Sequence, residues 1–217
     1  MKRAESFPID YQTRELIPVR SLEIKGKYKD ELEGILISGG EIKSRLKALR
    51  NEISDYYTQF LKNSEKDVEV VGFPLLGGAM YFYTALVSGE FDKIWFPQIL
   101  GKTSSYEGTE STGKLSIKGY SQHELKRLKD KRILLVDDII DTGRTLSKMV
   151  EMLKTFNPLE IKICCLLDKP SRRIKPIESQ FTGFIIPDKF VVGYGLDFNS
   201  RYRDLGHIAI LKPEMYK

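Results

Sequence analysis

The stretch ILLVDDIIDTGRTL, Ile133 to Leu146, decides the architecture, because it joins an apolar strand to a carboxylate pair and then to a Thr/Gly-rich loop that opens a helix. Ile133 to Val136 is continuously apolar, as expected of a parallel strand covered on both faces. Asp137 and Asp138 then fall at its carboxyl end, where open α/β sheets bind ligands. Asp141, Thr142, Gly143, Arg144 and Thr145 supply hydroxyls, a cation and a glycine that lets backbone N–H groups approach closely. They do so at a helix N-terminus, whose dipole favours an anion. The carboxylates suit ribose hydroxyls or Mg²⁺ and the loop suits a monophosphate, so the junction reads as a holder of a sugar phosphate.

Two other readings compete. A hydrophobic strand ending in Val-Asp-Asp is also found in the acidic pocket of phosphoreceiver domains, but those carry the pair near the start of a shorter chain and lack Asp-Thr-Gly-Arg-Thr behind it. The blander alternative is a strand followed by an ordinary capping loop, since Asp and Thr are common N-cap residues. A single such residue coincides easily with capping; the whole string does not.

A chain of 217 residues is long enough for one sizeable core with an added flap, and one domain is expected. Hydrophobic content of 41% and charged content of 30% place it among soluble globular proteins. The opening MKRAESFPID has no apolar core for a signal peptide and no run is long enough to span a bilayer, so a cytoplasmic location is expected. Cys164 and Cys165 are adjacent inside the apolar run IKICCLL, which excludes a disulfide framework and agrees with a reducing compartment. The net charge of +5 fits nucleic acid or a small substrate with several phosphates. The densest basic stretch, Lys126 to Arg132, has no interleaved aromatics and reads as a solvated turn, which disfavours nucleic acid.

Residues 1–34 have weak periodicity and read as an irregular lead with at most one short strand, in which no function is expected. Ile42, Leu46, Leu49, Ile53, Tyr56 and Phe60 recur at three- and four-residue steps and predict an amphipathic helix. Val68 to Leu76 reads as a buried strand, Ala79 to Val87 as a helix, and Lys93 to Leu100 as a strand in which Pro97 demands an edge or a bulge. Residues 101–121 are rich in Ser, Thr and Gly and read as a long mobile loop. After the helix that follows the signature come a strand at IKICCLL, a basic loop, and short strands at FIIP, FVVGY and HIAIL. The alternation predicts an α/β fold with a mainly parallel sheet and flanking helices, plus a small subdomain of the short terminal strands.

The signature resembles that of type I phosphoribosyltransferases, two acidic residues, two apolar residues and D-T-G-K/R-T, which bind phosphoribosyl pyrophosphate (PRPP). LLDKPSRR, Leu166 to Arg173, and PDKFVVGYGLDFNSRYRDLGHIAIL, Pro187 to Leu211, are similar nearly residue for residue to hypoxanthine-guanine phosphoribosyltransferases. With ILISGGEI, Ile35 to Ile42, and the pair Gly77-Gly78, the resemblance covers residues 35–211. It implies a phosphoribosyltransferase domain over residues 35–217, with the lead 1–34 contributing to a hood and a flap at about 101–121 that carries Ser105 and Tyr106.

The resemblance also implies roles. Asp141 is the base that takes or shares the purine proton. Asp137, Asp138, Asp141, Thr142, Gly143, Arg144 and Thr145 hold PRPP, and Leu76, Gly77 and Arg203 the pyrophosphate. Lys169, Phe190, Val191 and Asp197 face the purine, Lys169 by donating to the 6-oxo group and Phe190 by stacking. Asp137, Asp138 and Asp197 bind Mg²⁺. Many relatives have Lys where this chain has Leu76, so the pyrophosphate loop here offers backbone N–H groups and no side-chain charge. The implied activity is purine salvage by a homodimer or homotetramer. The alternatives are a xanthine-preferring enzyme and a PRPP-sensing regulator of the same fold that binds nucleic acid.

Overall fold

The computed structural model describes residues 8–22, 24, 26, 28–60, 68–75, 77–89, 91, 94–99, 120 and 122–216. In chain order these form β1 (Ile9–Asp10), α1 (Tyr28–Glu31), β2 (Leu32–Ile37), α2 (Gly39–Thr58), β3 (Val68–Pro74), α3 (Ala79–Val87), β4 (Ile94–Trp95), α4 (Gln122–Lys126), β5 (Arg132–Ile140), α5 (Arg144–Lys154), β6 (Glu160–Asp168), β7 (Phe181–Ile185), β8 (Val191–Val192) and β9 (Ile208–Leu211).

A six-stranded sheet runs β1-β7-β6-β5-β3-β4 with every pairing parallel, and a three-stranded antiparallel sheet runs β2-β9-β8. The central strand β5 explains why both faces need cover. Leu134 and Val136 enter the core beneath α2 and α3, while Ile133 and Leu135 enter the core beneath α5. A strand apolar on successive residues is stable only in such a sandwich. The small sheet has its own core around Ile35, Val192, Tyr202 and Ala209.

Helix α2 begins with a capping box. Ser38 accepts from the Glu41 N–H at 3.3 Å and the Glu41 carboxylate takes the Ser38 N–H at 2.8 Å. The N-terminal lead reinforces it, since Tyr11 and Arg14 donate to Glu41 at 2.8 and 2.5 Å. Burial pushes the Glu41 carboxyl up, but the hydrogen bonds from Arg14, Ser38 and Tyr11 outweigh it and hold the group down at about 2.

Two expectations shift. The strand expected over Lys93 to Leu100 shortens to Ile94–Trp95, because Pro97 has no N–H for the ladder. The chain still follows β3, with the Gly72 N–H donating to the Pro97 carbonyl at 3.0 Å and the Ile99 N–H to the Gly72 carbonyl at 3.2 Å. Of the short terminal strands, only β8 and β9 lie in the small sheet. The strand read from FIIP begins earlier, as β7, and joins the main sheet between β6 and β1, where Phe181 and Phe184 are buried. Among the described residues no helix is long and apolar enough to cross a membrane.

Candidate active site

The carboxyl end of β5 opens into a cavity of about 330 Å³ lined by Leu75, Gly78, Asp137, Asp138, Asp141 and Thr142, with Gly143 and Thr145 beside them. Gly143 has φ +77°, and a Cβ there would stand 2.6 Å from Ile177 Cγ2 and 2.9 Å from the Lys175 carbonyl oxygen. Glycine is therefore required to start α5 at this point. The Thr142 carbonyl accepts the N–H groups of Ile174 and Lys175, each at 3.0 Å, which ties the loop to the segment after β6. Arg144 is exposed in the first turn of α5.

Asp137 and Asp138 share this cavity. The Asp138 N–H donates to Asp137 Oδ1 at 3.0 Å and the Ile139 N–H to Asp138 Oδ1 at 2.9 Å. Burial pushes the Asp137 carboxyl well above the usual range, and the Asp138 charge beside it adds to the effect. Burial raises Asp138 as well, while hydrogen bonds from Asp137 and the backbone and the charge of Arg203 pull it back. Two carboxylates that resist joint ionisation form the oxygen donor set a hard divalent cation neutralises. Among the described residues no cluster of three or more His, Cys, Asp or Glu could hold a metal, so a cation at this pair would take its remaining ligands from substrate or water.

Gly78, the second glycine of the loop expected to offer backbone N–H groups to pyrophosphate, lines the cavity. A Cβ on it would stand 1.6 Å from Asp138 Oδ2, so the pair Gly77-Gly78 brings bare backbone against the carboxylate. Gly77 has φ +141°. The doubled glycine was the available signal; its contact with Asp138 was not. Leu76, Ser105 and Tyr106 lie outside the described residues.

The second half of the site comes from later segments. Lys169, directly after β6, is buried, and its Nζ donates to the Lys189 carbonyl at 2.7 Å, next to Phe190. Burial lowers its pKa, with Asp141 and Asp188 acting in the opposite sense. The Lys169 N–H donates to the Ile140 carbonyl at 2.9 Å, so the end of β6 is fastened beside Asp141. Phe190 stacks on Tyr216 with ring centroids 4.7 Å apart and meets Phe198 edge to face at 5.5 Å. Val191 is buried in β8 opposite Ile210.

Asp197 and Arg203 engage each other. Arg203 pairs with Asp197 Oδ1 at 2.8 Å and donates to the Gly195 carbonyl at 2.5 Å, and Asp197 Oδ2 accepts the Ser200 N–H at 2.8 Å. Asp197 is thus engaged by Arg203, whose charge is also felt at Asp138. Gly195 links the two halves, because a Cβ on it would stand 2.4 Å from the Gly78 carbonyl oxygen.

A parallel sheet with this acid pair and anion loop at its switch point defines a phosphoribosyl transferase domain, and the family model of that description matches residues 43–199. The hypoxanthine-guanine phosphoribosyltransferase of Bacillus subtilis is 36% identical over 196 residues, covering 87% of this chain and 98% of the relative. The bifunctional protein TilS/HprT of Listeria innocua is 36% identical over 194 residues, but there the match covers 86% of this chain and only 27% of the relative. The crystal structure of hypoxanthine-guanine phosphoribosyltransferase from Schistosoma mansoni in complex with IMP superposes with a TM-score of 0.72 at 27% identity, covering 95% of this chain and 96% of that one. The chain belongs to the hypoxanthine-guanine phosphoribosyltransferase family.

Proposed function

We propose that this chain transfers the 5-phosphoribosyl group from PRPP to hypoxanthine or guanine, giving IMP or GMP and pyrophosphate, a purine salvage reaction. The observation that carries the reading is the single cavity that unites Asp137, Asp138 and the Asp141 to Thr145 loop, with Lys169 fastened beside it through Ile140.

Departure of pyrophosphate leaves an oxocarbenium-like sugar, so the chain's task is to hold the phosphate, orient the ribose and place the purine nitrogen beneath the anomeric carbon. Thr142, Gly143, Arg144 and Thr145 hold the 5′-phosphate at the start of α5, where N–H groups and the helix dipole favour an anion. Asp137 and Asp138 orient the ribose hydroxyls. Asp137 and Asp138, together with Asp197, would hold Mg²⁺, which would neutralise the charge of the leaving group. Arg203 and the backbone at Leu76 and Gly77 grip pyrophosphate, for which a guanidinium fork is well shaped. Asp141 takes the purine proton. Lys169 donates to the 6-oxo oxygen, Phe190 stacks on the base and the Val191 backbone meets its edge.

The assembly we propose is a homodimer or homotetramer, supported by the exposed apolar side chains of Met80, Tyr81 and Trp95. A cytoplasmic setting is supported by two buried free cysteines. The test is one assay with PRPP, Mg²⁺ and four separate purines. Conversion of hypoxanthine and guanine with adenine left behind is the expected result, faster use of xanthine would move the assignment within the class, and equal use of adenine would remove the 6-oxopurine reading. A salt-sensitive shift of RNA or DNA without turnover of any purine would favour a regulator instead.

A further inference from the structure

We propose that Arg172 is a positioning residue for the reaction, acting by fixing the carboxylate of Asp141; the inference rests on the reading of Asp141 as the base. Arg172 lies in the short 3-10 turn Pro170–Arg172 that follows Lys169, where the Arg172 N–H donates to the Lys169 carbonyl at 3.1 Å. Its Nε donates to Asp141 Oδ1 at 3.0 Å and lies 3.7 Å from Asp188 Oδ1. Arg173, the next residue, donates from its guanidinium to the Asp141 main-chain carbonyl at 2.6 Å and pairs with Asp168. One dipeptide therefore holds Asp141 twice, by its side chain and by its main chain.

The reason such a hold matters is torsional. The terminal torsion of an aspartate is broad and nearly two-fold, so an unrestrained carboxylate presents either oxygen over a wide arc. Arg172 supplies the hydrogen bond that this carboxylate takes from the described residues, and by occupying Oδ1 it leaves Oδ2 to meet a ring N–H of the base. Asp188 Oδ1 lies 3.7 Å from the same Nε, so a second carboxylate charge favours keeping the guanidinium beside Asp141. Tethering also works through chain connectivity. Lys169 and Arg172 sit three residues apart on one rigid turn, so a base that engages Lys169 finds Asp141 already set relative to it.

All three groups are substantially exposed, with side-chain exposures of 47% for Arg172, 41% for Asp141 and 54% for Asp188. Exposed ion pairs contribute little to folding stability. The contribution of Arg172 is thus placed in turnover, where a misplaced catalytic group is costly, and not in the fold.

The experiment is a double-mutant cycle with Arg172→Gln and Asp141→Asn, measured with hypoxanthine and PRPP, together with Arg172→Lys. Arg172→Gln is expected to lower kcat by roughly 10-fold with KM for PRPP and the thermal midpoint unchanged. Arg172→Lys should recover most of the loss, and in the Asp141→Asn background Arg172→Gln should cost nothing further. A normal kcat in Arg172→Gln overturns the proposal. So does a loss that multiplies with that of Asp141→Asn, or one expressed as a raised KM for either substrate, because each means that Arg172 acts independently of Asp141. If Asp141→Asn itself turns over normally, the role of Asp141 as base has failed, a result distinct from a slow Asp141→Asn beside a normal Arg172→Gln.

Discussion

At the end of the cleft proposed for phosphate Asp137 and Asp138 lie in a cavity with their carboxyl groups pushed up by burial, whereas at the end proposed for the base the charged groups are already engaged. Lys169 donates to Lys189, Arg203 pairs with Asp197, and Arg172 pairs with Asp141. The two ends consequently gain affinity in different ways. The acid pair would gain from any cation that lets both groups ionise, the sense in which the Arg203 charge already acts at Asp138. On the proposed reading the base end would exchange internal hydrogen bonds for bonds to the purine, so its net gain would be a difference between two similar terms. On that reading selectivity would come from a mismatch: a base that leaves the Lys169 ammonium without an acceptor would forfeit the exchange.

The sharpest way to break this comparison is at the junction of the two ends. Asp141→Asn is expected to leave PRPP binding largely intact and to slow turnover by about 10²- to 10⁴-fold, the scale for a positioned acid/base group. Rapid-quench measurement of turnover beside equilibrium binding of PRPP checks it, and near-normal turnover removes the role.

At the base end, Lys169→Ala should lose about 1.5 to 3 kcal/mol toward hypoxanthine and guanine, read as kcat/KM, with little change toward adenine. A smaller loss would mean that the bond to Lys189 offsets nearly all that the purine offers.

At the phosphate end, Gly78→Ala forces a methyl group against Asp138 Oδ2 and should cost roughly 1 to 3 kcal/mol, the scale of overpacking. The loss should appear as a raised KM for PRPP and a raised Mg²⁺ requirement, with the ratio of rates for hypoxanthine and guanine unchanged. An altered base preference would show that the two ends are not separable.

The smallest effect lies outside the cleft. Glu41 is held at about 2 against an ordinary value of 4.5, so its capping network stabilises the fold fully above that ordinary range and is lost as pH falls through the interval toward 2. Chemical denaturation of Glu41→Gln between pH 7 and pH 2 should show a lower stability at neutral pH and a shallower decline on acidification than wild type. Parallel curves would remove Glu41 from the acid response.

The Ile133 to Leu146 string by itself determined the layout at the carboxyl end of β5, because strand, acid pair, loop and helix start are contiguous and each acts within a turn or a strand period. The periodicities of α2 and α3 were legible for the same reason. The position of the short strand allowed in the lead was not, since the two residues of β1 have no period to read, and neither was the use of Tyr11 and Arg14 to brace α2 from 27 to 30 residues away. Which sheet β7 joins depends on parallel pairing with β6 across a connecting loop, and β-propensity says nothing of that choice. The resemblance pointed to Lys169, Phe190, Asp197 and Arg203 as candidates, but only the folded chain decided that Arg203 pairs with Asp197, that Gly78 lies against Asp138, and that Arg172 reaches Asp141 across 31 residues. The last two are contacts between segments distant in the chain, set by the parallel pairing of β5 with β3 and β6, whereas the first closes within six residues of one loop.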